Sequence, residues 1–208
     1  MTVELLAGPL LALVLGYLLG SIPFGLLLTR LAGEGDIREI GSGSIGATNV
    51  LRTGRKGLAA ATVILDMGKG TAAVILADML FPGNVATPAL GALVGHLYPI
   101  WLRFAGGKGV ATLFGIILAF CILGELGWAA AAAYAVIWLG VLAATRFSSV
   151  AGMSAALLSP VVAALLGRFD LALLLLGFGL LVFWKHRQNL ERLFAGTEPR
   201  VGRKRPDG

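Results

Sequence analysis

The stretch LLAGPLLALVLGYLLGSIPFGLLLT, Leu5 to Thr29, runs for 25 residues without a charged side chain. A helix on the surface of a soluble domain pairs an apolar stripe with a polar face, and this segment has no polar face to turn to water. Crossing the roughly 30 Å of hydrocarbon in a bilayer takes about 20 apolar residues. A secretory leader would open with a basic segment and stop after a shorter apolar run. The opening Met-Thr-Val-Glu carries no base, so the stretch reads as a retained membrane span.

The remaining sequence agrees. Of 208 residues, 57% are hydrophobic and 13% charged, with a mean hydropathy of +0.87; soluble domains carry about 25% charged residues. Breaks in the apolar pattern give six further spans, Gly57–Phe81, Ala86–Phe104, Val110–Leu126, Trp128–Ala144, Val150–Leu166 and Phe169–Trp184. The runs are apolar all round, which predicts helices and not the alternating strands of a barrel. Thirty glycines would let such helices approach closely. The short turns FPGNVATP and LGELG leave no room for a second domain. The expected fold is therefore an all-α integral membrane protein, a bundle of seven transmembrane helices. It is read as one polytopic domain over residues 1–208, with 199–208 a flexible basic tail.

Lys and Arg favour the cytoplasmic side of short loops. Arg30, Arg38, Arg52, Arg55 and Lys56 follow the first span, Arg103 and Lys108 the third, and Arg146 the fifth; seven more bases follow the seventh. Fifteen of the seventeen bases thus share one side, placing the N-terminus outside and the C-terminus in the cytoplasm. The net charge of +6 is explained by that asymmetry and by an anionic inner leaflet; it is not a nucleic-acid signature. Cys121 is the only cysteine, which excludes an internal disulfide, and no Cys/His cluster has metal-ligand spacing. Neither metal nor cofactor is expected.

Four polar clusters interrupt the apolar pattern. The first, IGSGSIGATNVLRTGRKG, Ile40 to Gly57, contains Gly41, Gly43 and Gly46 in the spacing of a dinucleotide fingerprint, with Asp66 twenty residues on. No strand precedes it and Asp66 lies inside an apolar run, so the fingerprint fails in context. What remains is a loop whose backbone amides can converge on an anion, with Ser42, Thr48 and Asn49 adding donors and Arg52 a forked cation. The second is Asp66 with Lys69, three apart on one helical face and able to pair; charges within a span commonly mark a functional path. In the third, RFAGGKGVAT, Leu102 and Gly109 stand where a Walker loop needs glycine and a hydroxyl. Lys108 among Gly106, Gly107 and Gly109, opening a helix at Val110, still suits a phosphate. His96, upstream in GHLYPIW, is open between helix packing and function. The fourth, WKHRQNLERLFAGTEPRVG, sets His186 and Asn189 one helical turn apart, with Glu191 following, on what is otherwise a basic surface helix.

Taken on residues alone, these clusters fit an enzyme acting on phosphorylated substrates, a phosphate or organophosphate transporter with polar gates, or a structural membrane subunit. Transporters place substrate near the midplane, often between repeats; here the clusters gather at one face and no repeat is evident.

In order along the chain, GSIPFG, GSGSIGATNVLR, LDMGKG, GHLYPIWLRFAGGKGVAT and HRQNLERLFAGTE resemble the PlsY-type acyl-phosphate:glycerol-3-phosphate acyltransferases of bacteria. The resemblance covers nearly the whole chain. It departs at Ser44-Ile45, where the family usually has Asn-Pro. It implies a seven-helix, multi-pass enzyme of the inner (plasma) membrane with its active site at the cytoplasmic face. The reaction implied moves a fatty acyl group from acyl phosphate to the sn-1 hydroxyl of glycerol 3-phosphate, giving lysophosphatidic acid and inorganic phosphate. By resemblance, Ser42, Arg52, Lys108, His186 and Asn189 contact glycerol 3-phosphate, with Ser42, His186 and Asn189 closest to the chemistry. Gly46, Ala47, Thr48, Asn49, Gly107 and Gly109 would seat the acyl phosphate, and Asp66 and Lys69 would support them. The partners implied are these two substrates and membrane lipid, with no nucleic acid; the protein is expected to be a monomer. The His-x4-Asp dyad of other glycerol-phosphate acyltransferases is missing, since Trp101 stands five after His96 and Glu191 five after His186.

Overall fold

The computed structural model describes residues 2–202, with side chains from Ala7 onward. Arg203, Lys204 and Arg205 of the expected basic tail lie outside the described residues. Among the described residues all regular structure is helical: α1 (Thr2–Gly20), α2 (Phe24–Leu31), α3 (Ala47–Val50), α4 (Lys56–Leu80), α5 (Ala86–Leu97), α6 (Val110–Ile122), α7 (Trp128–Thr145), α8 (Ser148–Leu165), α9 (Phe169–Lys185) and α10 (Arg187–Phe194), with three short 3-10 turns. By length and composition four described stretches can cross a membrane, Ala7–Leu31, Lys56–Leu80, Trp128–Thr145 and Ser148–Leu165. A fifth results if α9 and α10, bent by 55° at their junction, count as one span. The remaining apolar runs form the shorter helices α5 and α6, of 12 and 13 residues.

The expected spans differ from the helices at three places, the fourth ending at Ile122 and not at Leu126. The first is not continuous, because the chain leaves helix at Ser21–Pro23 before α2 begins. Proline lacks the amide that would continue the ladder and biases the residue before it away from helix. The third ends at Leu97 and not at Phe104. Pro99 again stops the helix; a 3-10 turn over Ile100–Leu102 follows, and Arg103 and Phe104 adopt positive φ of 50° and 63°.

The chain forms two compact units, Met1–Trp128 and Ala129–Gly208. Within the first, α1 packs chiefly on α5, and α4 on α6, α1 and α5. The α1–α5 contact is built on small residues: Gly16 lies against Pro88, Gly20 against Ala92, and Gly91 and Gly95 against the backbone of Leu13 and Tyr17. No side chain fits at these points, which is the close approach that membrane helices exploit. On α4–α6, Gly115 meets the Met67 carbonyl and Gly70 the Thr112 carbonyl. Beside them, Leu26, Ile37, Ile45, Val50, Ala59 and Leu102 form an apolar cluster that ties α2, α4 and the loop around α3 together. Within the second unit α8 packs on α9, with Gly179 against Ala156, and α10 turns off the end of α9.

Candidate active site

The loop from Asp36 to Gly54 is folded around one side chain. Asn49 is buried, and its amide nitrogen donates to the carbonyls of Ile37 (2.8 Å), Ser44 (2.9 Å) and Ile40 (3.1 Å). Its oxygen accepts from the Ser42 amide at 3.1 Å, the Ser42 hydroxyl at 3.4 Å and Arg52 Nη1 at 3.3 Å. Ser42 and Arg52 are therefore brought onto the same oxygen from ten residues apart. Asn49, expected to meet acyl phosphate, has its amide engaged within the loop and acts as its scaffold. Gly41 completes this arrangement. It sits at φ +60°, and the place a Cβ would take is filled by the Arg52 guanidinium and the Asn49 amide, so only glycine fits without strain.

Both residues of the Ser44-Ile45 departure are engaged within the fold. Ile45 is buried in the apolar cluster and its carbonyl abuts Gly25 of α2, while the Ser44 hydroxyl accepts from the Gly46 amide at 3.3 Å. Gly46, Ala47 and Thr48 form the N-terminal turn of α3, with Gly46 extended at the cap. At the loop's entrance Asp36 takes Arg38 at 2.6 Å and Arg30 at 2.8 Å. Hydrogen bonding from Arg38, with a smaller contribution from Arg30, holds the Asp36 carboxyl well below the usual carboxylate range.

The second loop, Ala105 to Gly109, lies flat on the end of α5. The Gly107 amide donates to the His96 carbonyl at 3.1 Å, and a Cβ on Gly107 would strike the His96 imidazole. Gly106 is as close to the backbone of His96 and Leu97 and to Pro99. Lys108 is half-buried between these glycines, and Gly109 in the left-handed region starts α6. Asp66 and Lys69 pair at 2.8 Å, both buried, as their spacing predicts. Next to the loop, Trp101 Nε1 donates to the Ser21 hydroxyl at 2.7 Å, and the Tyr17 hydroxyl to the Tyr98 carbonyl at 2.9 Å.

In the second unit, His186 stands at the corner between α9 and α10 and is buried, with Nδ1 2.7 Å from the Val182 carbonyl. A carbonyl can only accept, so Nδ1 carries the proton and, in the neutral ring, Nε2 is left as the acceptor. The His186 carbonyl receives the Asn189 amide at 2.8 Å, which sets the two side chains one turn apart. Asn189 Nδ2 donates to Glu198 Oε1 at 2.6 Å, and the Ser149 hydroxyl donates to the same oxygen at 2.7 Å. Arg192 Nε reaches the other oxygen at 2.8 Å. Because a carboxylate cannot donate, this contact fixes which way the Asn189 amide faces.

Burial raises the Glu198 carboxyl, but hydrogen bonds from Asn189, Ser149 and Arg192 outweigh it and leave the group below its ordinary value. Sequence reasoning singled out Glu191, the carboxylate nearest in sequence, yet Glu191 is exposed. Glu198 and Ser149 were missed. The chain returns at Gly196, where φ is +69°, and the Val201 amide then donates to the Arg146 carbonyl at 2.8 Å. The only sequence signal for that return was the glycine before Thr197.

The family model for glycerol-3-phosphate acyltransferase matches residues 10–196. The chain is 54% identical over 197 residues to the glycerol-3-phosphate acyltransferase of Mesorhizobium japonicum, covering 95% of this chain and 98% of that protein. It is 54% identical over 196 residues to that of Nitrobacter winogradskyi, covering 94% and 97%. Its fold superposes on the crystal structure of PlsY, an integral membrane glycerol 3-phosphate acyltransferase. The glycerol 3-phosphate form gives a TM-score of 0.85 at 32% identity over 93% of this chain and 96% of that one. The lysophosphatidic acid form gives 0.82 at 31% identity, over 93% and 95%.

Proposed function

The chain belongs to the glycerol-3-phosphate acyltransferase family, and from that premise we propose that it acylates the sn-1 hydroxyl of glycerol 3-phosphate with acyl phosphate as donor. Its products are lysophosphatidic acid and inorganic phosphate, and it works as a monomer at the cytoplasmic face of the bacterial inner membrane. Seven spans with the N-terminus outside and the C-terminus inside agree with the charge asymmetry of the loops.

The observation that carries the reading is the pair at the α9–α10 corner. His186 presents Nε2 as an acceptor because Nδ1 is committed to Val182, and Asn189 is held by Glu198 one turn away. Such a pair suits a substrate hydroxyl. The hydroxyl oxygen attacks the acyl carbonyl carbon, the bond from that carbon to the phosphate oxygen breaks, and the proton ends on the leaving phosphate. Acyl phosphate is already activated, so no covalent enzyme intermediate is needed. Positioning can supply up to about 7–11 kcal/mol of the barrier, and donors facing the developing oxyanion lower it further. Ser42, Arg52 and Lys108 supply donors and positive charge for the substrate phosphates. The turns Gly46–Thr48 and Gly107–Gly109 seat the acyl phosphate through the Ala47 and Thr48 amides of the first and the Gly109 amide of the second, since the Gly46 and Gly107 amides are engaged by the Ser44 hydroxyl and the His96 carbonyl.

The test is turnover of purified protein with glycerol 3-phosphate and either acyl phosphate or acyl-CoA, in chelator. Lysophosphatidic acid is expected from acyl phosphate alone; equal turnover of acyl-CoA would overturn the donor. Lys108→Met should lower kcat/KM by about ten- to a hundredfold, as loss of a charge-assisted contact of about 1.5–3 kcal/mol requires. Near-normal turnover by that variant would remove Lys108 from the phosphate seat.

A further inference from the structure

The buried polar group of the first unit, whose Asp66 and Lys69 are expected only to support the acyl-phosphate seat, takes no step in the chemistry above. Asp66 and Lys69 on α4 and His96 on α5 are each no more than 5% exposed. Asp66 Oδ1 pairs with Lys69 Nζ at 2.8 Å and lies 3.8 Å from His96 Nδ1. Each end of the group reaches toward a different loop. Lys69 Nζ donates to the Ile22 carbonyl at 2.7 Å, inside the break between α1 and α2, and stands 5.8 Å from the centre of the Phe24 ring. From there α2 touches the first loop directly, Gly25 lying on the Ile45 carbonyl. At the other end the His96 imidazole occupies the space where a Gly107 side chain would be, and the His96 carbonyl holds the Gly107 amide.

Stability alone does not account for such a group. A buried ion pair is often no more stabilising than apolar residues of the same volume, and α4 and α5 are otherwise apolar enough to pack without one. Ionisable side chains at membrane depth mark functional machinery by default. Neither Lys69 nor His96 is in the two loops that present Ser42, Arg52 and Lys108, yet between them they touch the supports of both.

We propose that Asp66, Lys69 and His96 are positioning residues that set the two phosphate-binding loops relative to each other: Lys69 fixes the α1–α2 break that carries the first, and His96 backs the glycine turn that carries Lys108. The group acts through the loops and does not meet substrate. It rests on the reading of those loops as phosphate seats.

The test uses full-length protein in detergent or bilayer. Asp66→Asn with Lys69→Met removes both charges together and so leaves no buried charge unpaired; His96→Ala removes the backing ring. Both variants should raise KM for glycerol 3-phosphate by about ten- to a hundredfold, the scale of a lost charge-assisted phosphate contact. Their kcat should fall by less than KM rises, because His186 and Asn189, which face the reacting hydroxyl, are untouched. Gly107→Ala should raise KM in the same way, and adding His96→Ala to it should recover part of the loss, since the new methyl then has room. His96→Asn, which is smaller than the imidazole but still polar, serves if His96→Ala does not purify.

Folded, monodisperse variants with unchanged KM, or with losses confined to kcat, would overturn the assignment. So would a Gly107→Ala, His96→Ala double variant that is no better than Gly107→Ala alone. Lys108→Met, measured beside them, separates the two readings. If it is impaired while these variants are normal, the positioning role alone fails; if it is normal, the phosphate seat itself fails.

Discussion

Replacing Glu198 by glutamine changes one atom of a carboxylate that receives three contacts. In the parent, Oε1 takes the Asn189 amide at 2.6 Å and the Ser149 hydroxyl at 2.7 Å, and Oε2 takes Arg192 at 2.8 Å. A glutamine offers one oxygen. Its better orientation keeps that oxygen on Asn189 and Ser149 and turns its NH2 toward Arg192 Nε, donor against donor. A hydrogen bond involving a charged group is worth about 1.5–3 kcal/mol. Arg192 is 30% exposed and Glu198 only 6%, so water can re-solvate the guanidinium in part and the lower half of that range applies. The expected loss is about 1.5–2 kcal/mol of stability.

Asn189 keeps its partner in Glu198→Gln and the enzyme should stay measurably active. In Glu198→Ala the Asn189 amide loses it, and kcat/KM should fall by at least about tenfold. The assays are denaturant unfolding in detergent and steady-state kinetics on each variant. Glu198→Gln and Glu198→Ala that both match the parent in stability and turnover would refute the claim that this carboxylate holds the corner.

Glu198 also predicts a pH response. Its carboxyl sits below the ordinary value of 4.5 when folded, so its contribution to stability is present above that value. It is lost as pH falls through the folded pKa. Unfolding midpoints measured downward from pH 6 should drop more steeply in the parent than in Glu198→Gln; equal slopes would count against it. Gly41→Ala should displace Arg52 and lower kcat/KM by about tenfold or more. Gly54→Ala, at φ +84° with open space around it, should lose only backbone stability; equal activity losses in the two would contradict the packing argument. Single cysteines at Ser42 and Asn189 in a Cys121→Ala background should resist impermeant thiol reagents in intact cells, and labelling from outside would reverse the topology.

Helices were legible in the sequence because an apolar run long enough to enter a bilayer has few other ways to satisfy its backbone. The Asp66–Lys69 pair was legible for the same reason, since spacing on a helix is geometry. Legibility ended where the chain left helix. Asn49 looks like one more donor among several, and only the folded loop shows three carbonyls aimed at its amide. Glu191 and Glu198 are equivalent by composition; the turn at Gly196, seven residues beyond Asn189, decides between them. Breaks at Pro23 and Pro99 were present as letters, but the length of the apolar runs outweighed them.

The glycine face between α1 and α5 has a thermal consequence. A core assembled in water owes much of its strength to the release of solvent from apolar surface, and that driving force weakens on cooling. Lipid tails are as apolar as the helices they leave, so close approach in a bilayer gains from dispersion contacts and tight fit. Backbone against backbone at Gly16, Gly20, Gly91 and Gly95 is a fit of that kind. Such a joint has no solvent-release term to lose in the cold, and cooling should tighten it.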